Sequence, residues 1–282
     1  MQKEYQKITL NKNKFIKLLP IKGKESYKNI NGRSLIVAGS YGYAGAAILN
    51  LKASLLTNNG YNTALIDESI YHIISSQVYQ SVFKFTNNYD IGELLNNNDA
   101  ILYGSGCNNM ENKKFIFDQL LQFCKVPLIL DAYSFDILEY NLFLLKYARC
   151  PIVLTPHIGE FSRIIHVDVE TINKDRLKYA KQFVEEHYVT LVLKGPETIV
   201  INKDKYYLNK TGNAVLAKAG SGDILSGLIV GYVSQISDVF MACCMSVYLH
   251  GSLADQAVVH HSPTVILPED ILKELDNFIK IV

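Results

Sequence analysis

The sequence predicts an α/β fold in which helices cover both faces of a mostly parallel central sheet. Two observations support this prediction. Apolar runs of four to six residues recur along the chain, and segments with helical patterning separate them. Strands that are apolar throughout are typical of sheets buried on both faces, and helical connections make neighbouring strands parallel.

The predicted strands are the apolar runs, most of them bounded by glycine, proline or a polar residue. They span residues 34–39, 63–67, 99–104, 127–131, 152–155 and 190–195, followed by a hairpin of 198–201 with 205–208. The predicted helices carry apolar residues on one face, or throughout where they are buried. They span about 44–58, 112–123, 159–165, 171–187, 222–235, 238–260 and 268–280.

The composition is that of a globular protein with a large core. Hydrophobic residues make up 49% of the 282 residues and charged residues 20%, which is too apolar for a disordered chain. No shift in composition, repeat or low-complexity linker divides the chain, so we expect a single domain over residues 1–282. The 28 Lys and Arg residues against 27 Asp and Glu give a net charge of +1, which argues against a general nucleic-acid binder.

The sequence also favours a location in the cytoplasm. Its first residues are polar and do not resemble a secretory signal. The most apolar stretches, 225–233 and 239–249, are far shorter than the roughly 20 residues that span a bilayer, so we expect no membrane segment. The five cysteines form no CxxC and are odd in number, which is typical of a reduced, cytoplasmic protein. Cys243 and Cys244 are expected to pack in the core.

A glycine-rich turn at residues 217–223, AKAGSGD, leads directly into an apolar helix. Small residues let a ligand approach the backbone, and a helix start offers free N–H groups and a partial positive charge, which suits a phosphate. Asp223 lies in the first helical turn. A carboxylate there repels phosphate and therefore needs another task, such as accepting a proton from an attacking hydroxyl. The alternative is that Asp223 only caps the helix and the glycines only form a tight turn.

Two further segments follow predicted strands, whose carboxyl ends are where ligands bind in such sheets. In TPHIGE, residues 155–160, His157 could contact a substrate and Glu160 could hold a metal-bound water; the alternative is a proline turn followed by a helix start. In LKGPET, residues 193–198, Lys194 could contact a phosphate, and Thr198 could donate a hydrogen bond to a nucleotide. The alternative there is an ordinary turn with a solvated lysine.

Three weaker signals remain open or favour a structural role. The loop at 39–45 spaces its glycines as GxxGxxG, whereas the dinucleotide-binding fingerprint is GxGxxG. Asp131 ends a predicted strand, where it either touches a substrate or metal or caps a helix near Ser134. His250 lies on an apolar helix without a plausible ligand spacing, and we expect it to be structural.

Taken in order, these segments resemble the ADP/ATP-dependent NAD(P)H-hydrate dehydratases, a branch of the ribokinase-like superfamily. The resemblance covers roughly residues 26–280. Its segments read GSYGYAGAA at 39–47, GSG at 104–106, TPHIGE at 155–160, LKGPET at 193–198 and GNAVLAKAGSGD at 212–223. No single segment is specific, whereas the ordered combination of PHxGE, KGxxT and GNxxxAxxGSGD is. The implied fold is a three-layer α/β/α ribokinase-like fold.

The resemblance implies an enzyme that repairs hydrated NADH or NADPH. Family members phosphorylate a hydroxyl of the S form of the hydrate at the expense of ADP or ATP and then eliminate phosphate. By motif position, Asp223 is the base, Glu160 orients the hydration shell of Mg²⁺, and amides around 220–222 bind the transferred phosphoryl group. The residues implied to border the hydrate are Ala46, Gly106, His157 and Asp223. Those implied to border the nucleotide are Lys194, Gly195, Pro196, Glu197, Thr198, Gly220, Ser221 and Gly222.

The chain departs from the family pattern at several turns. A turn more usual as GPGLG reads GSGCN at 104–108, DAD reads DAY at 131–133, and GNPGMA reads GNAVLA at 212–217. The lost glycine and proline put the loop geometry and the nucleotide preference in doubt. The chain is too short for the N-terminal epimerase domain of many bacterial members, so we expect the epimerase to be separate or absent. The resemblance also implies a homo-oligomer, commonly a tetramer.

Three other functions stay open from the sequence. A small-molecule kinase of the same superfamily, acting on a hydroxymethylpyrimidine, pyridoxal or thiazole alcohol, would share the anion-binding turn and Asp223. An oxidoreductase would bind NAD at the loop 39–45, although its Tyr206-x-x-x-Lys210 falls on the predicted hairpin. A non-catalytic nucleotide-binding regulator would keep its function without Asp223.

Overall fold

The structure, a computed structural model, describes residues 4–20 and 31–280. Within these residues ten strands form one sheet. The strands are β1 (Gln6–Ile8), β2 (Arg33–Val37), β3 (Tyr61–Ile66), β4 (Val82–Phe85), β5 (Ala100–Tyr103), β6 (Leu128–Leu130), β7 (Ile152–Leu154), β8 (Thr190–Leu193), β9 (Ile199–Ile201) and β10 (Lys205–Leu208). Their spatial order is β1-β10-β9-β8-β7-β6-β5-β2-β3-β4. Every neighbouring pair is parallel except β8–β9 and β9–β10.

Helices connect the strands and cover both faces of the sheet. They are α1 (Lys12–Leu18), α2 (Ala44–Leu56), α3 (Tyr71–Ser75), α4 (Ile91–Asn96), α5 (Lys113–Phe123), α6 (Tyr133–Leu138), α7 (Ile158–Ile165), α8 (Val169–Lys174), α9 (Arg176–His187), α10 (Ser221–Val233), α11 (Val239–His260), α12 (Asp270–Lys273) and α13 (Leu275–Lys280). No helix among the described residues is long and apolar enough to cross a bilayer.

Alternate residues of each central strand pack into two separate cores. In β2, Leu35 and Val37 face the core formed with α5, α7 and α9, whereas Ile36 faces the core formed with α2, α10 and α11. Successive side chains of a strand point to opposite faces, so an apolar run can fill both cores at once. This three-layer arrangement confirms the predicted fold class. Cys243 and Cys244 are fully buried, as expected.

Helices α2 and α10 approach each other closely because glycine faces the contact. A Cβ atom on Gly227 would lie 2.4 Å from the carbonyl oxygen of Asn50, and one on Gly231 would lie 2.4 Å from the hydroxyl of Thr57. No larger side chain fits at these positions without moving a helix. The contact fixes the start of α10 beside the middle of α2, where the side-chain amide of Asn50 donates to the Asp223 carbonyl.

Several predicted elements differ from the structure. The helix predicted at 171–187 is two helices, α8 and α9, because Asp175 leaves the helical conformation and its carboxylate accepts the N–H of Lys178 as a cap. The helix predicted at 268–280 is likewise two short helices, α12 and α13. The edge strands β1 and β4 were not predicted. Residues 26–30 of the resembling segment lie outside the described residues.

Candidate active site

A cavity of about 570 Å³ opens at the carboxyl edge of the sheet. Its volume lies within the range of small-molecule sites in proteins. It lies between the loop after β8, the segment before α10, and the helices α10 and α11. The lining residues are His157, 194–198, 209, 211–214, 216–218, 221, 222, 225, 247, 250 and 251. The five residues expected to border the nucleotide in LKGPET, together with Ser221 and Gly222, therefore lie around one cavity.

The glycine-rich turn presents free backbone donors at the start of α10. Gly220 has a φ of +95°, and a Cβ there would lie 2.6 Å from Cδ1 of Leu49. The Ser221 N–H donates to the Lys218 carbonyl at 3.2 Å, so the turn itself uses that amide. Within the described residues, the N–H groups of Gly220, Gly222 and Asp223 have no acceptor. These N–H groups and the helix dipole form an anion-binding corner.

Asp223 is a carboxylate in the first turn of α10 whose protonation is shifted toward neutral pH. Its pKa is raised to about 7, mainly by burial; the negative charge of Asp131 contributes to the rise, and the ammonium of Lys194 opposes it. Its backbone carbonyl accepts the side-chain amide of Asn50 at 2.7 Å, which ties it to α2. A carboxylate with a pKa near the working pH is well suited to accept a proton.

Asp131, at the carboxyl end of β6, is the centre of a buried hydrogen-bond network. Its Oδ2 accepts the hydroxyls of Ser105 and Ser226, both at 2.9 Å, and its Oδ1 accepts the hydroxyl of Thr155 at 2.7 Å. Lys194 Nζ donates to the same Oδ1 at 3.1 Å. Burial tends to raise the pKa of Asp131, but Lys194 and these hydrogen bonds outweigh it and hold the pKa below its usual value. Asp131 therefore neither caps a helix near Ser134 nor has a free lone pair for a ligand.

Lys194 is mostly buried between carboxylates, and not solvated. Its Nζ lies 3.1 Å from Asp131 Oδ1 and 3.9 Å from Glu160 Oε2. A Cβ on Gly222 would lie 3.5 Å from the same nitrogen, so the ammonium is next to the anion-binding turn. Burial lowers the pKa of Lys194, but Asp131 and Glu160 more than compensate, and the group stays charged. Its positive charge is therefore available where a phosphate would meet the turn.

His157 and Glu160 cap the start of α7 reciprocally. His157 Nδ1 accepts the N–H groups of Gly159 and Glu160, each at 3.1 Å, and Glu160 Oε2 accepts the His157 N–H at 2.7 Å. The segment therefore does form a helix start, which was the alternative to a functional role. The side chain of His157 is nevertheless 60% exposed and lines the cavity. Burial raises the pKa of Glu160 to about 7, with Lys194 opposing and Asp131 adding to the effect.

The donor set around Glu160 fits Mg²⁺ only through water. Among residues 4–20 and 31–280, no group of three or more His, Cys, Asp or Glu side chains is arranged to hold a metal ion. One carboxylate oxygen of Glu160 is taken by the helix cap, and the other lies 3.5 Å from His157 Nε2. Mg²⁺ commonly keeps several waters and binds through one carboxylate and the substrate's phosphates, which is compatible with this arrangement.

Ala46, in the first turn of α2, and Gly106, in the loop after β5, are in contact with each other. A Cβ on Gly106 would lie 2.8 Å from Cβ of Ala46, and Gly106 has a φ of +66°. The carbonyl of Gly106 accepts the hydroxyl of Ser40 at 2.7 Å. Neither residue lines the 570 Å³ cavity, to which His157 belongs. Of the four residues expected to border the hydrate, His157 lines this cavity, whereas Ala46, Gly106 and Asp223 do not.

Two residues that sequence reasoning did not assign to the site lie at the cavity or directly behind its lining. His250 lines it, with Nε2 3.2 Å from the hydroxyl of Ser221, and burial lowers its pKa to about 4. Asp255 accepts the Gly212 N–H at 2.8 Å and the Asn213 side-chain amide at 2.9 Å, which holds the loop before α10. In the sequence, the segment LHG at 249–251 together with Asp255 also resembles the family pattern weakly, and this is the signal for the region.

Comparisons with known proteins agree with this architecture. The family model described as NAD(P)H-hydrate dehydratase matches residues 34–277. The chain is 31% identical over 259 residues to the ADP-dependent (S)-NAD(P)H-hydrate dehydratase of Bacillus subtilis, covering 90% of this chain and 91% of that protein. It is 30% identical over 266 residues to the bifunctional NAD(P)H-hydrate repair enzyme of Moorella thermoacetica, covering 90% of this chain. The chain spans about half the length of that bifunctional relative, 50%.

A solved structure shares the fold over nearly the whole chain. The ADP/ATP-dependent NAD(P)H-hydrate dehydratase of Bacillus subtilis, co-crystallized with ATP and Mg²⁺, superposes with a TM-score of 0.84 and 28% identity. The match covers 96% of this chain and 97% of that one. The three-layer fold expected from the resemblance is confirmed. The chain belongs to the NAD(P)H-hydrate dehydratase family.

Proposed function

We propose that the protein dehydrates the S form of hydrated NADH or NADPH, using ADP or ATP. The observation that carries this proposal is Asp223, a base with a pKa of about 7 beside free helix N–H groups and a nucleotide-sized cavity. Family membership and the ordered motifs support the choice of substrate.

In the proposed reaction, Asp223 accepts the proton of the hydrate's hydroxyl as that oxygen attacks the terminal phosphoryl group of the nucleotide. The bond between this phosphoryl group and the nucleotide breaks, which leaves AMP from ADP or ADP from ATP. Loss of phosphate from the phosphorylated hydrate, with a ring proton, then restores the double bond of the nicotinamide ring. The protein's part is to position the two reactants and stabilise charge.

The groups around the turn divide this work. The N–H groups of Gly220 and Gly222 and the ammonium of Lys194 stabilise the negative charge of the transferred phosphoryl group. Residues 194–198 border the nucleotide, and Ala46, Gly106 and His157 border the hydrate. Glu160 would hold Mg²⁺ through a water, and the ion would neutralise charge on the nucleotide's phosphates.

The test is to incubate purified protein with prepared hydrate and either ADP or ATP, and to follow the absorbance of reduced nicotinamide. We expect recovery that depends on the nucleotide. Asp223→Asn should lower turnover by about 10²–10⁴-fold while nucleotide binding persists, because only the proton acceptor is lost. A matched control is Asp118→Asn, since Asp118 is an exposed carboxylate paired with Lys114 on α5.

No recovery with either nucleotide would exclude the dehydratase function. A stable phosphorylated product without reduced nicotinamide would identify a small-molecule kinase instead. Hydride transfer to a carbonyl would identify an oxidoreductase, and unchanged function in Asp223→Asn would identify a regulator.

We also propose that residues 1–282 act as one domain and that copies of the chain associate, as a tetramer, in the cytoplasm. One sheet carries every site segment, which supports a single domain. Exposed aromatic side chains near α5, such as Phe115 (59% exposed) and Phe123 (50%), would be covered by association. Sedimentation of the purified protein measures its oligomeric state, and a monomer at micromolar concentration would contradict the proposal.

A further inference from the structure

Arg176 begins α9, and its guanidinium holds the loop after β8 by three backbone carbonyls. Nη2 donates to the carbonyls of Leu193 at 3.1 Å and Lys194 at 3.2 Å, and Nη1 donates to the carbonyl of Pro196. All three carbonyls belong to the end of β8 or to the loop that lines the cavity. Arg176 is not among the lining residues. The guanidinium is thus fixed behind the loop.

The setting of Arg176 is unfavourable for a residue kept only for stability. Burial lowers its pKa, with the charge of Glu197 opposing, and its Nε is buried without a partner. Within the part of the chain that the structure describes, it forms no ion pair with a carboxylate. Arg33, by contrast, forms a bidentate salt bridge with Asp99. A partly buried charge solvated by carbonyls gains little stability for the fold, because its desolvation offsets its hydrogen bonds.

The hydrogen bonds to Arg176 determine the direction in which the loop's N–H groups point. In a trans peptide unit the C=O of one residue and the N–H of the next point in opposite directions. The Lys194 and Pro196 carbonyls are held on Arg176, so the N–H groups of Gly195 and Glu197 point away from it. Neither N–H has an acceptor among the described residues. The loop therefore offers two oriented, unused donors at the wall of the cavity.

The loop and the arginine fit each other closely. Gly195 has a φ of +140°, and a Cβ there would lie 3.1 Å from Arg176 Nη2. Glu197 also has a positive φ, +51°, which is unusual for a residue with a side chain. Glycine adopts its positive φ without strain, whereas Glu197 is strained, and a loop with a strained position needs external support to keep one conformation. Arg176 supplies this support from α9.

We infer that Arg176 is a positioning residue for the nucleotide: it fixes the loop so that the N–H groups of Gly195 and Glu197 bind acceptor atoms of ADP or ATP. This inference rests on the proposed function, because it assigns the nucleotide to the cavity. The guanidinium acts through the backbone and does not touch the ligand. Its loss should therefore weaken nucleotide binding and spare the chemical step.

The test compares Arg176→Ala, Arg176→Lys and Arg33→Ala with wild type. Calorimetric titration with ADP and with ATP, in the absence of hydrate, measures nucleotide affinity directly. We expect the Kd to rise about tenfold or more in Arg176→Ala and less in Arg176→Lys, whose ammonium can hold one carbonyl but not three. Arg33→Ala removes an arginine at the amino end of β2, whereas the cavity lies at the carboxyl ends of the strands, and should leave Kd within about twofold.

Two readouts separate positioning from general loss of structure. Turnover at saturating nucleotide should change little in Arg176→Ala, with the KM for nucleotide raised and the KM for hydrate unchanged. Guanidinium ion at millimolar concentration should restore part of the affinity of Arg176→Ala and have no such effect on wild type. If Arg176→Ala does not fold, the same measurements on Arg176→Lys decide.

The outcomes distinguish the inference from the proposed function. If wild type binds neither ADP nor ATP, the proposed function fails. If wild type binds and both Arg176 variants bind equally well, the inference is overturned while the function stands. The inference would also be overturned if turnover of Arg176→Ala at saturating nucleotide fell as much as its nucleotide affinity and guanidinium ion restored neither.

Discussion

Replacing Asp223 with asparagine should make the protein more stable at alkaline pH, in addition to lowering its turnover. Burial raises the pKa of this carboxyl from 3.8 to about 7, so the folded protein holds its proton more tightly than the unfolded chain does. Between about pH 4 and pH 7 the carboxyl of Asp223 is ionised in the unfolded chain and protonated in the folded protein. The free energy of unfolding of wild type therefore falls as pH rises through this window, and the contribution is constant above it.

The size of the effect follows from the same pKa values. A difference of about three pH units, at about 1.36 kcal/mol each, gives on the order of 4 kcal/mol. The charged carboxylate also gains about 0.3–1 kcal/mol from the helix N-terminus, and asparagine loses this gain. Since desolvation is the larger quantity, Asp223→Asn should be stabilised by on the order of 2–4 kcal/mol above pH 7. The hydrogen bond from Asn50 goes to the backbone and is kept.

Urea unfolding of both proteins at several pH values measures the difference. It should be small near about pH 4, grow up to about pH 7 and then stay level. Asp118→Asn serves as the control, because Asp118 is half exposed and its removal should produce no such growing gap. Equal or lower stability of Asp223→Asn at about pH 9 would refute the reasoning that burial disfavours the charged base.

Three further predictions concern the same elements. Asp131→Ala leaves the ammonium of Lys194 without its carboxylate and should lower the free energy of unfolding by about 3–5 kcal/mol in urea titrations; a loss under about 1 kcal/mol would contradict the buried pair. Gly227→Ala places a Cβ 2.4 Å from the carbonyl oxygen of Asn50 and should cost about 1–3 kcal/mol by the same measurement, whereas an unchanged midpoint would show that α2 and α10 can separate freely. With Asp223 as the base, kcat/KM should rise with pH through about 7 and then level off, and a pH-independent rate across that range would exclude it from this role.

The central part of the fold could be predicted from the sequence, and its edges could not. β2, β3, β5, β6, β7 and β8 consist mainly of apolar residues because both their faces are buried. β1 and β4 lie at the two edges of the sheet, where half-exposed strands such as Gln6–Ile8 need no continuous apolar run. The break between α8 and α9 at Asp175 involves neither glycine nor proline, the residues that mark helix ends most clearly.

The candidate site was predictable where it depends on local motifs. The glycine-rich turn before α10 and the LKGPET loop both appear at the cavity, because each is a strand end or helix start whose sequence determines its own backbone. The partnership of Lys194 with Asp131 links residues 63 positions apart, and no local pattern encodes it. The roles of Arg176 and His250 are equally non-local, since each depends on which loop packs against its helix.

The network around Asp131 also bears on how the protein folds. Its four donors are 24, 26, 63 and 95 positions away along the chain. Closing such distant contacts is slow compared with forming helices and adjacent strand pairs. Burial of the Asp131 carboxylate is unfavourable until Lys194 and Ser226 donate to it. The last contacts to form are therefore those that shape the site. A chain that has acquired its helices and most of its sheet would still be inactive, and catalytic competence would be the final property gained on folding.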